Sequence, residues 1–171
     1  MCDFDEELQT FQDTMHRVST YKYSRTTHFR NTVHRIQGYS RVPPEVLEKA
    51  YFLLQGYPDN HACHYTVLKA GGLPYQHTST IRRSLGYNVP TLRGDELHRV
   101  SCMFEYFCQE YEREKPDDRK NLPSLDYLIY NFLLYVDRED VASLICKRYM
   151  TCDKEQAIDE IYHKIMKSYI V

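Results

Sequence analysis

Between Leu125 and Val136 every position except Asp126 and Asn131 carries an apolar or tyrosine side chain. A helix over this stretch has no stripe that can face water without loss, so it belongs in the centre of a domain. It is too short for a membrane span, which needs about 20 apolar residues, and Asp126 and Asp137 bracket it with charge. Just upstream, Pro116 and Pro123 enclose a polar turn. Each proline biases the residue before it away from the helical region, which isolates Asp117, Asp118, Arg119, Lys120 and Asn121 as an ordered loop held on a buried helix.

The remaining periodicity is also helical. Phe4, Leu8, Phe11, Met15 and Val18 recur at helical spacing and predict an amphipathic helix over Phe4–Val18, acidic early and basic late as the helix dipole favours. Phe29, Val33 and Ile36 mark one face of a helix that stops at Gly38 and is capped by Thr26 or Thr27. Val42–Gly56 is punctuated by Pro44 and Glu45 at its start and a glycine at its end. His61–Ala70 and Pro74–Leu85 read as two short helices across Gly71-Gly72. Such a pair fits a helix-turn-helix, although many helical domains contain one. Asp95–Glu112 places Leu97, Val100, Phe104, Phe107 and Tyr111 inward. Two more helices are expected over Arg138–Met150 and Asp153–Tyr169, the latter with a capping-box pattern at Asp153/Gln156 and an inner face of Ala157, Ile158, Ile161, Ile165 and Tyr169. No window alternates as a strand does. The fold class is all-α, a compact multi-helix domain over residues 21–171 with its buried central helix near 125–136, preceded by an acidic amphipathic arm over 1–20.

The 171 residues suffice for a core without metal or disulfides. Sixteen tyrosines and seven phenylalanines, with no tryptophan, make that core aromatic; a buried tyrosine needs a partner for its hydroxyl. The six cysteines never form C-x-x-C and no apolar signal region follows Met1, which reads as a reduced, intracellular protein. No membrane contact is expected.

The net charge of −2 conceals a division. Residues 1–13 hold five acidic and no basic side chains, whereas residues 14–41 hold six basic and no acidic ones. In that basic window arginines alternate with Tyr21, Tyr23, His28, Phe29 and Tyr39, a composition suited to phosphates and to stacking on unpaired bases. A solvated face balanced by the acidic segments is the competing reading. His61-Ala-Cys63-His64 brings soft metal ligands close together. A structural zinc site needs a second pair at compatible spacing, and Cys102/Cys108 and Cys146/Cys152 do not supply one, so packed free cysteines and a partly exposed histidine are favoured. Asp117/Asp118 beside Arg119/Lys120 are more simply self-paired than a metal or phosphate site. With no G-x-S-x-G, phosphate-binding glycine loop or H-E-x-x-H, no enzyme, cofactor or metal is expected.

Four stretches together resemble one family. They are Y-S-R-T-T-H-F-R (Tyr23 to Arg30), V-P-P-E-V-L-E-K-A (Val42 to Ala50), L-P-Y-Q-H-T-S-T-I-R-R-S-L-G (Leu73 to Gly86) and P-D-D-R-K-N-L-P-S-L-D-Y-L-I-Y-N-F (Pro116 to Phe132). In this order and spacing they resemble the poxvirus late transcription factor 3 family of large nucleocytoplasmic DNA viruses. The resemblance implies a viral factor for late-gene transcription that contacts nucleic acid, DNA first, and the viral RNA polymerase or other viral transcription factors. It implies a place in the cytoplasmic virus factory or the nucleus. Arg25, His28, Arg30, Arg82, Arg119 and Lys120 match the family pattern as candidate nucleic-acid contacts; the charge distribution adds Lys22, Arg35 and Arg83. Family members often carry a cysteine-rich zinc-binding segment before this domain, and here acidic residues precede Tyr21. That departure leaves a second expectation, an adaptor or packaged virion protein that keeps the fold and binds other virion proteins.

Overall fold

The computed structural model describes residues 25–119, 121–145 and 152–169. The expected Phe4–Val18 helix and residues 146–150 of the expected Arg138–Met150 helix lie outside what is described, and the capping box expected at Asp153/Gln156 is not at the helix start, because Cys152 is already helical. Among the described residues the fold is all-helical: α1 over residues 25–36, α2 Pro44–Leu54, α3 His61–Ala70, a 3-10 turn Tyr75–His77 leading into α4 Thr78–Ser84, α5 Gly94–Glu114, α6 Leu125–Tyr135, α7 Glu139–Ala142 and α8 Cys152–Met166. No described helix is long and apolar enough to cross a membrane.

Local chemistry explains most boundaries. In α2, Pro44 occupies the first turn, where a missing N–H costs nothing, and Gly56 adopts φ +82° just past the end. Asn60 caps α3 by accepting from the Cys63 N–H at 3.0 Å. The Pro74–Leu85 stretch opens as a tight 3-10 turn rather than an α-helix, since Thr78 Oγ1 donates to the Tyr75 carbonyl and shapes the entry to α4. In α1, Arg25 is already helical, so Thr26 and Thr27 lie inside the helix and cap nothing at its start. The α7 helix is shorter than its sequence pattern predicts, because turn bonds from Leu144 and Ile145 N–H groups to Val141 and Ala142 carbonyls end it.

The larger apolar cluster joins α1, α5, α6, α7 and α8. Phe107 is its hub, with ring contacts to Tyr111, Phe132 and Tyr162, while Phe29 stacks on Phe104 at 4.1 Å. Each such side chain contributes about 1.5–3 kcal/mol by leaving water. Leu128, Ile129, Phe132 and Leu133 of α6 are buried here, as a central helix requires, but Leu134 and Tyr135 at its end face solvent. On α8 the inner face is Ile158, Tyr162, Ile165 and Met166, with Ile161 and Tyr169 packed against the core; of the expected stripe only Ala157 is exposed. Tyr111 is fully buried and its hydroxyl donates to the Asn121 carbonyl at 2.9 Å, tying the 116–123 loop to α5.

A smaller cluster, centred on Ala50, Leu54, Leu68 and Ile81, holds α2, α3 and α4 together. It meets the larger one along a polar seam. The buried Gln37, just past α1, accepts at its backbone oxygen from Arg83 Nε and Nη2 (3.1 and 2.9 Å) and at Oε1 from the Leu92 N–H (2.8 Å). Ser40 adds hydrogen bonds to Thr80 and to His77 Nδ1. On the other side, buried Glu96 caps its own helix by accepting from the Arg93 N–H and pairs with Arg138, which also donates to the Thr91 carbonyl.

Gly38 makes the seam close. Its φ is +89°, and a Cβ there would sit 2.8 Å from the Ser79 carbonyl oxygen. Gly72 has φ +73° but open space around the same position. Gly72→Ala is therefore expected to cost about 1–2 kcal/mol from backbone strain alone, and Gly38→Ala distinctly more, because backbone must move as well. Urea unfolding of the two variants side by side measures the difference; equal losses would mean the seam yields without penalty.

Candidate nucleic-acid interface

Arginines of the candidate set fall into two groups once the chain is folded. Arg82 and Arg83 point inward. Arg82 is buried, with Nη2 2.7 Å from Asp59 Oδ1, Nη1 2.7 Å from His64 Nδ1, and its guanidinium stacked on the Tyr87 ring at 5.1 Å. Arg83 is engaged by the Gln37 and Val89 carbonyls and covers the Tyr39 ring. Both guanidinium groups are structural, and neither is presented to a polyanion. The sequence pair Arg82-Arg83, expected among the nucleic-acid contacts, is instead the pair of cations that locks α4 to the rest of the fold.

The second group lies at the surface. Arg25 is half-exposed and 3.8 Å from Glu112, a weak pair at that separation. His28 and Arg30 are exposed on the outer side of α1, and Arg30 has no ion pair among the described residues. Arg119 sits in the loop held by Tyr111, its N–H bonded to the Pro116 carbonyl. Lys22 and Lys120 lie outside the described residues. These side chains do not form one constellation with Arg35, which is placed elsewhere.

Arg35 flanks a cleft of about 230 Å³ between the two apolar clusters, bounded by α1, α3, the 3-10 turn, the start of α6 and the turn after α7. Its Nη2 pairs with Asp126 Oδ1 at 3.5 Å. Facing it from α3 are His61, Tyr65 and the exposed Lys69, whose ammonium lies 5.3 Å from the centroid of the Tyr75 ring. Thr78 and Ser79 floor the cleft from α4. Arg35 also raises the potential at His77, which burial and that nearby guanidinium hold below the ordinary imidazole pKa. Arg41 follows Ser40, the residue bonded to His77, and is exposed. The cleft mouth thus gathers Arg35 and Lys69.

Beneath the cleft lies a cluster of polar groups short of partners. Among the described residues three buried side-chain nitrogens have no hydrogen bond: His61 Nδ1, His64 Nε2 and Arg82 Nε. A guanidinium can only donate, so His64 Nδ1 accepts and the ring is neutral. Burial first, and Arg82 second, depress the His64 pKa. The same two causes push His61 down to about 4, with a hydrogen bond to the Leu144 backbone acting the other way. Both rings are neutral at neutral pH. The described residues contain no group of three or more His, Cys, Asp or Glu placed to hold a metal; Cys63 stands next to His64 in sequence but is part of no such group.

Sequence reasoning missed Lys69 and His61 as members of one site with Arg35. Nothing in their spacing connects them; they meet because the seam sets α1 against α3 and α4. No protein-family model, curated protein or solved structure matches the chain, so the site is read from its own chemistry.

Because His61 and His64 bind protons less readily in the folded state than in the unfolded chain, their contribution to stability is complete above pH 6.5 and declines as pH falls below it, for His61 down to about 4. For His61 the loss is roughly 3 kcal/mol, at 1.36 kcal/mol for each unit between 6.5 and about 4. Urea titrations at pH 7, 5.5 and 4.5 are expected to show this decline, and His61→Phe to flatten it. An unchanged slope in that variant would remove His61 as its source.

Proposed function

We propose that this chain is a non-enzymatic nucleic-acid-binding factor acting in late viral transcription beside the viral RNA polymerase. The family resemblance supplies the role. The observation that supports nucleic-acid contact is the cleft between the two helical layers, where Arg35 and Lys69 flank an opening walled by Tyr65 and Tyr75. Lysine and arginine at such a mouth neutralise phosphates and release counterions, a contribution that positions a strand without specifying its sequence. His28 and Arg30, exposed on the outer face of α1, lie apart from this cleft, and Arg82 and Arg83 are turned inward.

A second reading, an adaptor or virion protein with the same fold, is favoured by a separate feature. Phe52, 68% exposed at the end of α2, stands beside Tyr51 and near Tyr57, both about half exposed. An exposed phenylalanine on a well-formed helix is what a protein contact uses. Recovery from purified particles at copy numbers far above those of the polymerase would favour this role.

Fluorescence anisotropy with labelled DNA and RNA over a salt series tests the first reading. Binding is expected to fall steeply with salt, and the double variant Arg35→Ala, Lys69→Ala to weaken it similarly on all sequences. Its log–log salt slope should be shallower by about 1.4–1.8, at roughly 0.7–0.9 for each phosphate no longer neutralised. A wild-type protein that binds nothing at low salt would leave the adaptor reading.

A further inference from the structure

The apolar end of α6 stands open beside α8. Leu134 and Tyr135, 36% and 44% exposed, form with Asn131 one wall of a groove of about 600 Å³ whose other wall is Tyr162, His163, Met166 and Lys167. Tyr162 and Met166 are themselves buried, whereas His163 and Lys167 are exposed. None of the described residues lining the groove is acidic. An apolar groove between two helices takes a third, amphipathic helix through anchors at i, i+3, i+4 and i+7. The chain carries that pattern in Phe4–Val18, outside the described residues. Its only apolar side chains are Phe4, Leu8, Phe11, Met15 and Val18, alternately four and three positions apart. Such a stripe is the narrow seam of a coiled coil, suited to a groove, rather than the broad face of a helix laid on a large core.

Charge and connection select this occupant. Residues 1–13 hold five acidic and no basic side chains, the complement of a groove bordered by His163 and Lys167. On a helix of about 3.6 residues per turn, Asp3 and Glu7 flank the stripe on one side. Arg25, the first described residue of α1, pairs with Glu112, and Lys164 of α8 pairs with Glu114 at 2.7 Å. The start of α1 and the middle of α8 therefore meet the same last turn of α5. Tyr169, further along the chain, meets Tyr106, earlier on α5, so α8 runs against α5. Residues 19–24 reach roughly 20 Å when extended. We propose that Phe4–Val18 docks as a helix in the groove between α6 and α8, antiparallel to α8, with Asp3 and Glu7 beside His163 and Lys167 and Arg17 towards Glu160. In this direction Val18 comes to the end of α5 at which the chain continues into Arg25.

Amide hydrogen exchange of the full chain, read peptide by peptide, tests the docking. Isolated helices of about 15 residues are marginal in water, so protection over residues 4–18 requires a surface to pack on. In the wild-type chain that protection is expected at every protein concentration. The double variant Leu8→Asp, Phe11→Asp should speed exchange about tenfold or more over residues 4–18, 131–136 and 161–167, while α2, α3 and α4 keep their own rates and show the variant to be folded. Leu134→Asp, on the groove wall, should release residues 4–18 to the same degree with the segment's own sequence unaltered. Unprotected residues 4–18 in the wild-type chain would overturn the docking and leave the groove to a different protein. Groove peptides with the same rates in wild type and double variant would overturn it as well. Protection that grows with protein concentration, together with dimers in sedimentation, would assign the groove to a second copy and overturn the intramolecular arrangement.

Discussion

The clasp between Gln37 and Arg83 is the contact on which the rest of the arrangement depends. One backbone carbonyl, exposed by the end of α1 and the turn at Gly38, accepts two guanidinium N–H groups. The same residue's side chain accepts from Leu92, in the segment that leads into α5. Three parts of the chain are joined at one buried point, and hydrogen bonds to a charged donor are the stronger kind, worth about 1.5–3 kcal/mol each. Neither apolar cluster reaches across this seam, so the orientation of α3 and α4 against α1, and with it the shape of the cleft, is fixed by polar geometry.

Much of the helical order was legible because periodicity and punctuation agree. His61–Ala70 has the expected limits, with an asparagine cap and a glycine end, and α5 presents Val100, Phe104, Phe107 and Tyr111 inward as its spacing implies. What failed was tertiary. The end of α6 is apolar by sequence yet exposes Leu134 and Tyr135, the latter meeting the Tyr169 ring just past α8. On α8 the expected Ile158, Ile161, Ile165 and Tyr169 do pack in or against the core; only Ala157 faces solvent, and Tyr162, a ring with contacts to Phe107 and Phe132, is the core residue the pattern missed.

The candidate site was less legible, for a physical reason. Charge can be counted along a sequence, but whether a cation is available depends on acceptors that lie far along the chain. Arg82 finds Asp59 and His64; Arg83 finds the Gln37 carbonyl. Arg35 belongs to the same basic window as Arg25 and Arg30, yet one borders a cleft while the others lie on open helix surface. Lys69, a single lysine at the end of an ordinary short helix, gains meaning only when α3 stands beside α1.

Two apolar cores joined by a polar seam also bear on how the molecule opens. Hydrophobic burial resists separation over a broad area, whereas hydrogen bonds at a seam give way together once water reaches them. The layer of α2, α3 and α4 therefore has the makings of its own cooperative unit, able to detach from the larger core below the free energy of global unfolding. Amide exchange in that layer would follow the loosening of the Gln37 clasp rather than the melting of the aromatic core. A ligand that touched Arg35 and Lys69 at once would span both units and slow their parting.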